Sequence, residues 1–188
     1  MLLKRQDVEQ LNDCISVTYN TKIGKIKIAY HGKEIVHIYI FDYIKDNAYD
    51  VVDKIDELTF NEFIIDVERE NKGHIITDEV IYQLYEYFCK SRKKFSFRYK
   101  LIGTEFQKRV WKELIKVEYG SLCSYKDVAR KIGHSNSCRA VANAIGKNPL
   151  LILVPCHRVI RGDGSLGGFS AGVDLKEGLI TLERKNSF

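Results

Sequence analysis

A thiol and an imidazole stand side by side at Cys156-His157, directly after the apolar run Leu150-Leu151-Ile152-Leu153-Val154 and Pro155. A free cysteine has a pKa of about 8.5, so roughly 3% is thiolate at neutral pH, and a thiol that attacks carbon needs a base beside it. His157 has the chemistry of that base. The apolar run reads as a buried strand, and Pro155, which lacks an N–H and cannot continue a central ladder, is expected to end it and present Cys156 at its carboxyl end. Free cysteines are more often inert core residues than nucleophiles. Cys14, Cys89, Cys123 and Cys138 carry that ordinary reading.

Five cysteines with no C-x-x-C pair argue against a disulfide framework and against a structural zinc site. A reducing, cytoplasmic setting is expected, nuclear or nucleoid-associated according to the host. No stretch approaches the roughly 18 apolar residues of a membrane span, and Met1-Leu2-Leu3-Lys4-Arg5 opens no apolar signal region. At 188 residues the chain can form one ordinary domain or two small ones. The net charge of +5 is uneven, since Lys90, Arg92, Lys93, Lys94 and Arg98 occur with no acid among them. Such a run is either a solvated face or a footprint for nucleic acid.

The elements that must position the chemistry fall into two halves, divided near residue 100: 1–100 and 101–188. Residues 14 to 41 alternate as strands, with a turn at His31-Gly32-Lys33 that makes a hairpin. Asp46 to Glu70 has no legible period. Thr77 has the character of an N-cap for a helix whose apolar face is Ile81, Leu84, Tyr85 and Phe88. Phe95, Phe97, Tyr99 and Leu101 alternate as an extended connector. In the second half, Thr104 and Gln107 have capping-box spacing ahead of a helix carrying Phe106, Val110, Trp111, Leu114 and Ile115. Ser124 and Asp127 open a short helix to about Ile132, Gly133 turns the chain, and Ser135 or Asn136 is placed to cap a third helix to about Gly146. Two short helices across a tight turn form a helix-turn-helix. Strands at 151–154 and 159–160, a turn at Arg161-Gly162-Asp163-Gly164 and a last helix from about Val173 make it a winged one.

Several strings occur in register over about 80 residues: Gly103-Thr104-Glu105-Phe106-Gln107, Val110-Trp111, Ser124-Tyr125-Lys126-Asp127-Val128-Ala129, Cys138-Arg139-Ala140-Val141-Ala142, Asn148-Pro149, Pro155-Cys156-His157-Arg158-Val159 and Gly168-Phe169-Ser170-Ala171-Gly172. Together they resemble the O6-alkylguanine-DNA alkyltransferases, the methylated-DNA–protein-cysteine methyltransferases. The resemblance covers less than half the chain. It implies an α+β protein with a small N-terminal α/β domain like ribonuclease H and a C-terminal winged helix-turn-helix domain. It also implies a monomer that works on double-stranded DNA containing O6-alkylguanine, without cofactor or metal, moving the alkyl group onto its own Cys156 once per molecule.

The resemblance implies roles residue by residue. His157 takes the Cys156 proton through a water, and Glu183 orients the imidazole. Tyr125 helps rotate the target phosphate and hydrogen-bonds the guanine ring, Ser170 reaches O6, and Val159 and Phe169 belong to the substrate pocket. Asn148 ties the DNA-reading helix to the active-site loop. Arg139 fills the gap left by the extruded nucleotide, small residues such as Ala142 permit close approach, and Lys126 joins the DNA contacts. A thiol cannot reach a base inside a duplex, so extrusion is a physical necessity for this chemistry. Phe169 stands where many members have tyrosine, and Leu151 where some have a pocket proline, which bears on the range of alkyl groups. The rival readings are a lesion-sensing DNA-binding protein without transfer, against which Cys156 itself counts; a Cys-His hydrolase, for which no oxyanion hole is announced; and a winged-helix regulator.

Overall fold

The computed structural model describes residues 14–42, 59–69 and 75–184. The chain divides into two compact units, one ending at Lys100 and the other beginning at Leu101. Helix and sheet are mixed throughout.

In the first unit, strands β1 (Ile15–Thr21), β2 (Gly24–His31), β3 (Glu34–Phe41) and β4 (Ile64–Arg69) form an antiparallel sheet in the order β3-β2-β1-β4. Its inner face is the alternating set Val17, Tyr19, Ile26, Ile28, Ile38 and Ile40, all nearly inaccessible. The hairpin turns at Gly32, whose φ of 60° suits a residue without Cβ. A register shift between Ala29 and Tyr30 explains why Ala29-Tyr30 and Ile35-Val36 are buried as adjacent pairs, since a bulge resets the alternation. Of the stretch without a legible period, 46–58 and residue 70 lie outside the described residues. The remainder forms the short helix α1 (Phe60–Phe63), capped by Thr59 and Glu62, and then β4.

Helix α2 (Ile75–Phe88) corrects the expected cap. Thr77 lies inside the helix and is buried, and its hydroxyl oxygen is 2.9 Å from the Tyr19 hydroxyl of β1. A threonine with a tertiary partner has no need of a capping role, and that partner is 58 residues away. Ile81, Leu84 and Phe88 are buried and Tyr85 packs on Phe63 at 5.5 Å between ring centroids. The connector that follows is extended but pairs with β3 only through Ile35 and Tyr99.

In the second unit, helix α3 (Glu105–Leu114) starts at the Thr104–Gln107 capping box and buries Val110, Trp111 and Leu114. Trp111 Nε1 donates to the Ala144 carbonyl at 2.8 Å and so fixes α3 to helix α5 (Cys138–Gly146). Gly103 is obligatory beside that ring, because a Cβ there would stand 2.6 Å from Trp111 carbons. Ser124 and Asp127 cap α4 (Tyr125–Lys131) reciprocally, and Gly133, at φ 76°, turns the chain toward α5. The start of α5 differs from expectation: neither Ser135 nor Asn136 caps it. Ser137 is the N-cap and makes no side-chain bond. The helix buries Val141, Ala144 and Ile145.

The apolar run before the cysteine is not a strand. Val154 N donates to Leu150 O and Leu153 N to Leu151 O, both at 2.9 Å, closing a compact turn in which Ile152 has φ 71°. Periodicity cannot separate a buried strand from a buried turn in a continuous apolar run. Here Asn148 supplies backbone partners that a sheet would otherwise provide. A single 3-10 turn, Cys156–Arg158, follows Pro155 and leads into β6 (Val159–Ile160), which pairs in parallel with β5 (Cys123–Ser124). That pairing brings the start of α4 alongside the chain leaving Cys156. Helix α6 (Val173–Arg184) closes the unit with Leu175, Leu179 and Leu182 buried.

Candidate active site

Cys156 is 4% exposed, and its sulfur accepts a hydrogen bond from Asn148 Nδ2 at 3.0 Å. The same amide donates to Val154 O at 2.8 Å, while Asn148 Oδ1 accepts from Leu150 N at 2.9 Å. One side chain therefore holds the turn and the sulfur together. Burial pushes the Cys156 thiol up to about 11, partly offset by the Asn148 hydrogen bond and the charge of Lys176. The resting group is a thiol, and its proton must be removed as it reacts.

His157 is fully buried with Nε2 2.8 Å from Glu183 Oε1. An ionised carboxylate only accepts, so Nε2 carries the proton and Nδ1 holds the lone pair. That Nδ1 is buried and has no protein partner. Burial lowers the pKa of His157, so the ring is neutral at neutral pH and free to act as a base. Burial alone would raise Glu183, yet its hydrogen bonds with His157 and Arg158 and the Arg158 charge outweigh this and hold its carboxyl well below the usual range.

Two residues that the sequence did not single out complete this network. Arg158 grips Glu183 with Nε and Nη2, each at 2.8 Å, donates from Nη1 to Val117 O at 2.5 Å, and lies over the Tyr119 ring. Gly120 N adds a fourth donor to Glu183 at 3.0 Å. Lys176, fully buried, donates to Val159 O at 2.6 Å and to Leu166 O, and burial brings its pKa down to about 8. A signal existed for it: Lys176 and Glu183 are seven residues apart, on one face of α6. No sequence period points from Arg158 to Glu183, which are 25 residues apart.

A cleft of about 540 Å³ collects Tyr125, Arg139, Ala142, Phe169 and Ser170, joined by Asn143 and Gly168. Arg139 and Ser170 are exposed, and Ala142 and Phe169 half-buried. Burial raises the pKa of Tyr125, with a further push from nearby Cys156, which places the sulfur within electrostatic reach of the cleft. Gly167 makes room for the Tyr125 hydroxyl, 2.9 Å from where a Cβ would be. Cys156, His157, Asn148 and Glu183 form the buried cluster and do not line the cleft. Val159 is buried and its carbonyl is held by Lys176, while Lys126 is exposed and belongs to neither group.

Residues 105–185 match the family described as 6-O-methylguanine DNA methyltransferase, DNA binding domain. A methylated-DNA–protein-cysteine methyltransferase of Methanosarcina barkeri is 44% identical over 108 residues, 57% of this chain and 68% of that protein. The crystal structure of Mycobacterium tuberculosis O6-methylguanine methyltransferase superposes with a TM-score of 0.72 at 30% identity, covering 93% of this chain and 95% of that one. The M. tuberculosis OGT in complex with DNA gives 0.69 at 30% identity, covering 90% and 92%.

Proposed function

This chain belongs to the methylated-DNA–protein-cysteine methyltransferase family, and from that premise we propose that it repairs DNA by direct reversal, transferring the alkyl group of O6-alkylguanine to Cys156. The observation that carries the assignment to residues is the buried cluster: a thiol held by Asn148, next to a neutral histidine whose proton is fixed on Nε2 by an ionised Glu183. His157 Nδ1 takes the thiol proton through a water as the sulfur attacks the alkyl carbon. The C–S bond forms, the C–O6 bond breaks, and its electron pair passes into the guanine ring. Tyr125 delivers a proton to the ring and Ser170 a hydrogen bond to O6, so the leaving group departs neutral. With Cys156 near 11, proton removal and attack must be coupled. A standing thiolate is a minor species at neutral pH and gives only a slow route.

The finer architecture follows the same reading. Helices α4 and α5 with the 159–165 turn form the winged helix-turn-helix, the first unit is the ribonuclease H-like domain, and 100/101 is the domain boundary. The exposed face of α5, with small residues around Arg139, enters the minor groove of double-stranded DNA, and Arg139 occupies the space of the extruded base. Lys126 contacts the backbone, and Val159 and Phe169 flank the base. Each molecule acts once as a monomer, because an S-alkyl thioether offers water no activated carbonyl.

The test is a mass measurement. Mixed with duplex containing O6-methylguanine, the peptide carrying Cys156 gains one methyl group, repair stops at one lesion per protein molecule, and Cys156→Ala binds DNA but transfers nothing. A methyl group on Cys14, Cys89, Cys123 or Cys138, or repeated turnover with Cys156 unmodified, overturns the assignment.

A further inference from the structure

The positive charge of the chain is concentrated. Residues 1–89 carry a net −7, residues 90–100 carry +6 without an acid, and residues 101–188 carry +6, which together give the net +5. The unit that ends at Lys100 is therefore acidic overall, with two cation runs that hold no acid: Lys22, Lys25, Lys27 and Lys33, spread along β2 and the turns at its ends, and the denser 90–100. The 90–100 segment carries the higher charge density, six cations in eleven residues, whereas Lys25 of the other run pairs with Asp42 at 3.7 Å.

That segment has a fixed backbone. It leaves α2 through Lys90 at φ 62°, and Ser91 N and Arg92 N both donate to Glu86 O. Arg92 pairs with Glu86 at 2.7 Å and donates to Lys94 O at 3.0 Å, so this cation staples the loop. Gln83 grips Ser96 twice, donating from Nε2 to its hydroxyl and accepting from its N, each at 2.9 Å. Ile35 bonds Arg98 O and Lys100 N. Lys93, Lys94 and Arg98 project from this frame and are exposed. Little backbone ordering entropy remains to be lost when they meet a ligand, so the cost left is that of the side chains themselves.

Cations at a helix C-terminus complement the dipole, but that field fades within the last turn. It accounts for Lys90 and Arg92 and not for Lys94 or Arg98, which lie farther along and pair with no carboxylate among the described residues. Two of the three aromatic side chains in the segment are committed inward: Phe97 is buried, and Phe95 packs on Tyr87 at 5.8 Å between centroids. Tyr99 alone is exposed, at 37%, and a single ring makes no platform for successive unpaired bases. What the segment offers is point charge on a rigid frame, which matches the phosphate oxygens of a duplex.

We propose that residues 90–100 form a second phosphate-binding surface for double-stranded DNA, with Lys93, Lys94 and Arg98 as its contacts. The proposal rests on the reading of the chain as a protein that works on duplex DNA. Binding of a long undamaged duplex is measured against salt concentration for wild type and for K93Q/K94Q/R98Q. Each phosphate contact contributes about 0.9 to the slope of log affinity on log salt, so the triple variant is expected to have a slope shallower by roughly 2 to 3 and an affinity at least about tenfold weaker at low salt. The difference closes as salt rises. R98Q alone shifts the slope by about 1 and serves if the triple variant does not fold. Transfer from free O6-benzylguanine stays at the wild-type rate. Wild-type binding with a variant slope that overlays it overturns this surface alone, whereas a wild type that shows no salt-dependent duplex binding overturns the DNA reading itself.

Discussion

The two units bury polar groups of different kinds. Around the sheet these are Thr21, Thr77 and Gln83, all neutral and each satisfied by a hydroxyl, amide or carbonyl partner. Around Cys156 they are Asn148, His157, Arg158, Lys176 and Glu183, four of the five ionisable. A neutral buried group with its hydrogen bonds made is close to break-even, while a buried charge carries a desolvation penalty that only tight pairing offsets. The first unit is built as a scaffold, and the second accepts an expensive interior, as the proposed chemistry requires: a histidine with a fixed tautomer and a sulfur with a fixed position.

Several experiments break or sharpen that contrast. The largest effect is expected from His157→Gln, which removes the proposed general base and should slow transfer by about 10²–10⁴. Transfer in the variant then depends on the thiolate fraction. With Cys156 at about 11, that fraction, and the rate with it, rises roughly tenfold per pH unit from neutrality toward 10. A pH–rate profile of the variant parallel to wild type would remove His157 from the proton path.

Arg158→Met leaves Glu183 buried without its cation and should cost about 3–5 kcal/mol in denaturant unfolding of the second unit. The sign of the pH effect follows from the depressed pKa of Glu183. Its contribution is present above the unfolded carboxylate value of about 4.3 and is lost as pH falls through the lower folded value. The gap between wild type and variant should therefore narrow in acid, and a constant gap would mean that the arginine contributes packing alone.

Arg139→Ala should slow repair of duplex by on the order of tenfold at saturating DNA, since a fraction of the few kcal/mol spent on extrusion is no longer offset. Reaction with free O6-benzylguanine should be unchanged. Equal loss on both substrates would place Arg139 in folding or chemistry.

The smallest effect is expected in the scaffold. Gln83→Leu deletes the paired bonds to Ser96 and should lower stability of the first unit by about 1–2 kcal/mol, with transfer by the folded protein intact. A loss as large as that of Arg158→Met would erase the distinction between the two interiors.

The capping boxes at Thr104 and Ser124, the β2–β3 hairpin and the Cys-His pair were legible because each is written within a few residues. The Leu150–Val154 run was misread for the complementary reason. Five consecutive apolar residues specify burial without specifying a backbone, and the turn is decided by Asn148 and by Ile152 at a positive φ. Thr77 was misread because its partner, Tyr19, comes from another element.

By itself the sequence determined which groups exist and their local geometry: a thiol next to an imidazole, a small-residue helix around Arg139, a cation run with no acid. Tertiary structure alone decided their state. Burial sets the protonation of Cys156 and His157, and the carboxylate that fixes the tautomer is brought from 26 residues away, with Arg158 keeping it ionised. Protonation depends on desolvation and on charges within a few ångströms, and distance in space is the quantity that a linear sequence does not contain.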